Sequence, residues 1–130
     1  NGAIWGCFGT TIEGADGTAI GTGAQNTLDI IAGCPTPDKA ADLCANLTHN
    51  GYEDWFLPSL DEIKEIFNNK DIVNTTAIAN GGTSFEETEY WTSSEKSDNR
   101  FALQQAFYGS GNHGGAGKLT LSNVRAIRTF

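Results

Sequence analysis

The stretch "YEDWFLPSLDE", residues 52–62, determines where an extended segment of the chain gives way to a helix. Its apolar run predicts that Trp55 and Leu57 alternate into a core, and Pro58 ends the strand because it lacks a backbone N–H. The letters SLDE then match the S-x-x-E capping box, in which each side chain satisfies a backbone N–H at the helix start. The stretch therefore predicts a buried strand that feeds a capped helix, and scaffold rather than binding site.

Two further helices are predicted before this stretch. Asn26 is a favourable N-cap and Gly33 a favourable stop, which predicts a short helix between them. Thr36 is suited to cap a second helix with Pro37 at its first position, and this helix should run about three turns before Asn50. The capped helix that follows residue 59 is predicted to end near residue 68 or 69, because its apolar residues recur at helical spacing.

The last third of the chain changes to strand patterns. Strands are predicted over residues 90–95, 101–109, 118–121 and 123–130, separated by "KSDN" and by the glycine-rich loop "SGNHGGAG". Helices followed by an antiparallel meander are typical of the α+β class. A length of 130 residues suits one domain, residues 1–130.

Charge is distributed unevenly along the chain. The formal net charge is -8, but residues 99–130 contain four Lys or Arg and no Asp or Glu, so they carry +4 and the remainder carries -12. A net acidic chain is a poor match for nucleic acid, which requires a basic field. No stretch approaches the roughly 20 apolar residues of a membrane span, so no membrane insertion is predicted. The abrupt start "NGAIWGC" suggests a piece of a longer secreted or surface protein.

Three cysteines allow one disulfide and one free thiol. Cys44 has the apolar helical spacing of a buried residue, and a buried thiol behaves as a small hydrophobic group. Cys7 and Cys34 are therefore the preferred pair, which suits an oxidising compartment.

The sequence offers little for catalysis or metal binding. The two histidines stand apart and no C-x-x-C is present, which disfavours zinc. His113 lies in a glycine-rich loop and no G-x-S-x-G occurs, which disfavours a serine hydrolase. We therefore predict no enzyme and no cofactor, and calcium at "ADGT" or at the Glu86, Glu87 and Glu89 cluster remains the open alternative.

The region after residue 99 is the candidate binding surface. It mixes aromatic, amide and basic groups, which are common at binding surfaces. Cationic side chains would meet anionic groups of a ligand, aromatic ones would stack, and amides and imidazole would hydrogen-bond; Trp91 is expected in the core. The candidate ligand-binding residues are Arg100, Gln104, Phe107, Tyr108, Asn112, His113 and Lys118.

Four motifs in order, "IGTGAQNTLDIIAGC", "GYEDWFLPSLDEI", "YWTSSE" and "VRAIRTF", resemble a bacterial domain family similar to the C-terminal domain of the Lcl collagen-like adhesin. The resemblance implies a C-type-lectin-like fold, with two to three short helices on a small antiparallel sheet and long loops. It also implies an extracellular or bacterial-surface location and adhesion to a glycan such as sulfated polysaccharide. The carbohydrate triplets Glu-Pro-Asn and Gln-Pro-Asp of calcium-dependent lectins are absent from the sequence.

The resemblance and the residues together predict a non-catalytic adhesin-like domain that recognises a glycan, peptide or protein surface through its C-terminal sheet. The alternative is a structural cap or trimerisation domain of a surface fibre, in which the aromatic surface would pack against sister chains in a homo-oligomer. An enzyme related to the formylglycine-generating group is disfavoured, because its chemistry needs C-terminal cysteines and all three cysteines here precede residue 45.

Overall fold

A computed structural model describes residues 2–129 and contains, over that range, four helices and one three-stranded antiparallel sheet with the order β1-β2-β3. This is a small α+β domain, as the sequence predicted. No helix within these residues is long and apolar enough to cross a membrane. The elements are α1 (Gly23–Gly33), α2 (Ala40–Ala45), α3 (Leu60–Asn68), α4 (Lys70–Ala79), β1 (Glu89–Glu95), β2 (Phe101–Ala106) and β3 (His113–Gly117).

Helix α1 begins earlier than predicted, because its N-cap is Thr22 and Asn26 lies inside the helix. The Asn26 side chain is buried and donates to the Gly17 carbonyl at 2.7 Å and to Ser93 Oγ at 3.2 Å. Asn26 therefore ties α1 to the sheet and does not cap the helix.

Helix α2 is much shorter than the predicted helix over residues 36–50. Asp38 has a left-handed backbone with φ of 59°, which cannot belong to a right-handed helix. Lys39 is the N-cap, and its buried ammonium donates to Asp42 Oδ1 at 2.7 Å. Helix α2 therefore begins directly after the left-handed residue Asp38, with Lys39 as its N-cap.

Helix α3 confirms the prediction of a capped helix. The capping box is present, and Ser59 donates its backbone N–H to Glu62 Oε1 at 2.7 Å. The preceding segment differs from the prediction, because Phe56 and Leu57 are buried while Trp55 is only half-buried. It forms no strand, only an isolated bridge between Phe56 and Ile127.

Helix α4 was not predicted, because the polar run Asn74, Thr75, Thr76 interrupts its apolar residues and leaves no clear apolar face. It follows α3 after Asn69 and contains no fully buried residue. Val73 is its half-buried contact with the second core cluster, whereas Ile72 and Ile78 are exposed.

The sheet confirms β1 and β2 but corrects the strands after them. Strand β3 lies within the predicted glycine-rich loop, and a turn closed by the Thr120 N–H to Gly117 carbonyl bond of 2.9 Å replaces the predicted strand 118–121. The predicted strand 123–130 is reduced to isolated bridges, with residue 130 outside the described range. The segment 123–129 leaves the sheet, and Ile127 forms a bridge with Phe56 instead.

Two apolar clusters form the core. The first joins α1 and α2 to the sheet around Trp5, Ile30 and Trp91, and the second packs Ile63 of α3 against Phe107. The indole N–H of Trp91 donates to the Ala3 carbonyl at 2.8 Å, so the prediction that Trp91 is core is confirmed.

The cysteines are arranged as predicted. Cys7 and Cys34 form a disulfide, and Cys44 is a buried free thiol. Burial raises the pKa of Cys44 to about 12, which disfavours its thiolate.

Candidate binding groove

The sequence-predicted site residues do not form one exposed patch. Phe107 is buried and stacks on Phe85 with ring centroids 4.3 Å apart. Lys118 is fully buried as well and donates to Glu95 Oε2 at 2.5 Å and to the Thr10 carbonyl at 2.8 Å. These two residues are therefore removed from the candidate surface, because neither can reach a ligand without disrupting the core.

Three other predicted residues are engaged with neighbours in the chain. The Arg100 guanidinium lies 2.7 Å from Asp98 Oδ2, and the Tyr108 hydroxyl donates to Glu89. The Gln104 amide donates to Ser122 Oγ at 2.6 Å and is half-buried.

Asn112 and His113 are the predicted residues with exposed side chains at the start of β3. The β2–β3 ladder places His113 beside Gln105 and Lys118 beside Arg100, which are the two ends of the hairpin. His113 and Arg100 therefore cannot converge on one small ligand.

Most of the positive charge of residues 99–130 is paired within the chain. Ion pairs neutralise Arg100, Lys118 and Arg128, and the Arg125 guanidinium donates to the Thr83 carbonyl. Within residues 99–129, a polyanion would therefore meet few cationic side chains that are not already paired.

Acidic side chains that could have held calcium are directed to separate partners. Glu86 accepts from the Asn123 amide and Glu89 accepts from Tyr108. Within residues 2–129, no three His, Cys, Asp or Glu side chains are grouped to hold a metal ion.

An apolar concavity lies elsewhere, between helices α3 and α4 and the segment around residue 127. Two adjoining depressions of about 340 and 430 Å³ share Ile66, Val73, Ile127 and Arg128 as lining residues. Together they form one elongated groove, here called the α3–α4 groove. Its defining residues are Tyr52, Trp55, Ile66, Val73, Ile127 and Arg128.

The local sequence explains why this groove stays open. Ile63 fills the second core cluster, and Ile66, about one turn later, lies at the cluster's edge. After Asn69 the chain enters α4, where Val73 also packs at the edge of the cluster and is only half-buried. The bridge between Phe56 and Ile127 then sets the opposite wall. Apolar side chains from distant segments are thus left facing a shared cleft.

A rim of arginine and aromatic side chains borders the groove. The Arg128 guanidinium lies 3.7 Å from the Tyr52 ring centroid and pairs with Asp54 through two bonds of 2.7 and 3.0 Å. The hydrogen bond from Arg128 is the main cause of the lowered pKa of Asp54. This pairing favours one guanidinium position, over the ring.

The other rim residues are oriented by their own contacts. The Trp55 indole N–H donates to the Tyr52 carbonyl at 3.0 Å, and the ring meets His49 edge-on at 6.0 Å. The Arg125 guanidinium lies 4.4 Å from the Phe85 ring centroid. The groove therefore offers apolar walls, an oriented indole and two arginines at its border.

Sequence reasoning missed the groove for two reasons. Trp55 was assigned to the scaffold stretch, and α4 carries too weak a periodic signal to be predicted as one wall. A usable signal was the pair of arginines near the C-terminus, at Arg125 and Arg128, which lie close to apolar residues of the same segment.

Comparison of the chain with protein-family models, curated proteins and solved structures found no match. The resemblance based on motifs stays a prediction, and the function is argued from the groove.

Proposed function

We propose that this chain is a non-catalytic extracellular binding domain that holds a peptide segment of a partner protein in the α3–α4 groove. The observation that carries the proposal is the elongated apolar cleft bordered by Trp55, Tyr52 and Arg128. Tryptophan, tyrosine and arginine are the residue types that most often dominate binding energy at protein interfaces. Apolar anchors of a peptide would fill the cleft, and a carboxylate would lie near Arg125 at the border.

A peptide fits the groove better than a glycan does. Arg128 already covers one face of the Tyr52 ring, and the lining that the two depressions share is mainly apolar, from Ile66, Val73 and Ile127. Polar residues such as Asn50, Glu65 and Asn69 each line only one of the two depressions. The shared part of the lining therefore favours apolar side chains of a peptide over the hydroxyl groups of a sugar. We therefore place glycan recognition, which the motif resemblance implies, as the competing outcome.

The C-type-lectin-like fold and the bacterial-surface location belong to the same proposal. Short helices beside one small antiparallel sheet support the fold, and the order of the four motifs supports it independently. The Cys7–Cys34 disulfide supports an extracellular location, because disulfides persist in oxidising compartments.

The test is selection of a random peptide library displayed on phage against the purified domain. We expect enriched peptides to share apolar residues and a carboxylate, and their affinity to fall at least about tenfold in Trp55→Ala, because tryptophan is among the residue types that most often dominate interface energy. The matched control is Tyr108→Ala, which removes an exposed aromatic outside the groove.

Two results would overturn this proposal. The first is saturable binding to a glycan array, including sulfated polysaccharides, that depends on Trp55 when no peptide is enriched. The second is a light-scattering mass of two or three chains that falls to one chain in Trp55→Ala, which would support the fibre-cap alternative.

A further inference from the structure

One edge of the sheet is open along β3. The backbone bonds from Ala106 N–H to Asn112 and from Lys118 N–H to Arg100, at 2.9 and 3.0 Å, fix the phase of the β2–β3 ladder. Directly bonded and non-bonded pairs alternate along an antiparallel ladder. Even-numbered residues of β3 therefore bond to β2, and the backbone groups of odd-numbered residues point away from the sheet.

The outward groups of His113 and Gly115 have no hydrogen-bond partner within residues 2–129, and both residues are exposed. The opposite edge of the sheet differs. There the backbone N–H groups of Trp91, Ser93 and Glu95 donate to carbonyls outside the sheet at 2.8 to 2.9 Å. The β3 edge is thus open at two residues, whose unpaired N–H and C=O groups could bond to an added strand.

Small residues make this edge accessible to another backbone. Positions 114–117 are Gly-Gly-Ala-Gly, and a Cβ atom at Gly114 would have no neighbour within 4 Å. His113 is therefore the single bulky side chain of β3, and residues 114–117 leave the rest of the edge accessible to a strand approaching from outside.

The charge at the edge indicates which strand would fit. The Lys96 side chain lies over Gly115, since a Cβ atom there would be 3.3 Å from Lys96 Nζ. Two copies of this chain pairing about Gly115 would bring two such lysines together, and each copy carries a net charge of -8. Lys96 follows β1, but its side chain reaches Gly115, so it would disfavour self-pairing as a lysine on the edge strand itself does. A foreign strand with a carboxylate at the facing position would instead pair with Lys96.

We propose that the β3 edge binds an extended segment of another protein as a fourth strand, with an Asp or Glu of that segment facing Lys96. This surface uses residues different from those of the α3–α4 groove and does not depend on the function proposed there. Backbone hydrogen bonds would supply the affinity, and the ion pair with Lys96 would supply the preference for an acidic residue at the facing position.

The probes are two synthetic pentapeptides, acetyl-Thr-Val-Glu-Val-Thr-amide and the matched peptide with Lys in place of Glu, titrated into the isotopically labelled chain. We expect the Glu peptide to shift the His113 and Gly115 amide signals and to slow exchange of the Gly115 amide hydrogen at least threefold. The Lys peptide should bind at least threefold more weakly, and Lys96→Glu should reverse that preference.

The matched variants are Gly115→Pro, which removes the outward N–H, and Gly115→Ala, which keeps it. Gly115→Ala should retain the response because the Lys96 side chain can move aside, whereas Gly115→Pro should abolish it. Lys96→Glu tests the proposal if the proline variant does not fold. The proposal is wrong if neither peptide alters the edge amides at millimolar concentration, or if sedimentation shows a dimer that Gly115→Pro dissociates.

Discussion

Two glycines before β3 share a left-handed backbone but have different surroundings. Gly109, at φ 58°, would have no atom within 4 Å of an added Cβ, whereas an added Cβ at Gly111, at φ 74°, would overlap the Phe67 ring. Gly109→Ala should lower the free energy of unfolding by about 1 kcal/mol, because alanine is strained in a left-handed backbone conformation even where space is free. Gly111→Ala should cost about 1–3 kcal/mol more because it overpacks the core.

Urea denaturation of both variants measures this difference, with Gly109→Ala as the control for the backbone term. Equal losses for the two would show that Phe67 moves aside without cost.

Prediction for single residues succeeded where the deciding partner was near in sequence. Ser59 and Glu62 lie within one helical turn of each other, so their pairing could be predicted. The prediction of Asn26 as a cap was wrong, because its partner Ser93 lies 67 positions away and cannot be inferred from the local sequence. Lys118 was predicted at the surface for the same reason, since burial of its charge depends on Glu95.

At the scale of elements, Glu62 connects the start of α3 to the segment that leads into α1. One carboxylate oxygen accepts the buried Ser59 N–H and the other accepts the Gly21 N–H at 2.9 Å. Glu62→Ala should therefore lower the free energy of unfolding by about 2 kcal/mol, chiefly because the buried donor loses its partner.

Glu65→Ala is the matched control for this prediction, since Glu65 is exposed on the same helix and bonds to Asn69. Its effect should stay within about 0.5 kcal/mol. Guanidinium denaturation of both variants compares them, and an equal loss in Glu65→Ala would assign the effect to helix propensity.

Elements without their own side-chain signal could not be predicted. The β3 segment "HGGAG" looks like a loop, yet the register of β2 makes it a strand through backbone pairing. The segment over residues 118–121 looks like a strand, yet Lys118 turns inward to Glu95 and the ladder ends there. Pairing partners and buried charges therefore outweighed local propensity in the last third of the chain.

At the scale of the whole molecule, the α3–α4 groove combines segments that are far apart in the chain. Trp55, Val73 and Ile127 meet only after α3, α4 and the Phe56 bridge are in place. The α+β class follows from the order of patterns, but a cleft of this kind follows from tertiary packing alone. Composition drew attention to the C-terminal sheet, of which β1 and β2 were predicted, whereas the groove could not be read from any single segment.

The buried ion pair between Lys118 and Glu95 joins three distant parts of the molecule. Glu95 ends β1 and accepts the Ile12 N–H at 3.0 Å, while Lys118 follows β3, bonds to Thr10 and lies 4.7 Å from the Trp5 ring centroid. Removing one charge leaves the other buried without compensation, so Lys118→Met or Glu95→Gln should each cost about 3–5 kcal/mol. The double variant should cost clearly less than the sum of the two single losses, because neither charge is then left alone.

A double-mutant cycle by urea denaturation measures that coupling. The matched control is the exposed pair of Asp98 and Arg100, whose coupling should be far smaller because solvent screens it. Equal coupling in the buried and exposed pairs would contradict this prediction. The three segments would then be held together by apolar contacts, such as those of Trp5 with its neighbours, and the ion pair would only satisfy groups that the fold has already buried.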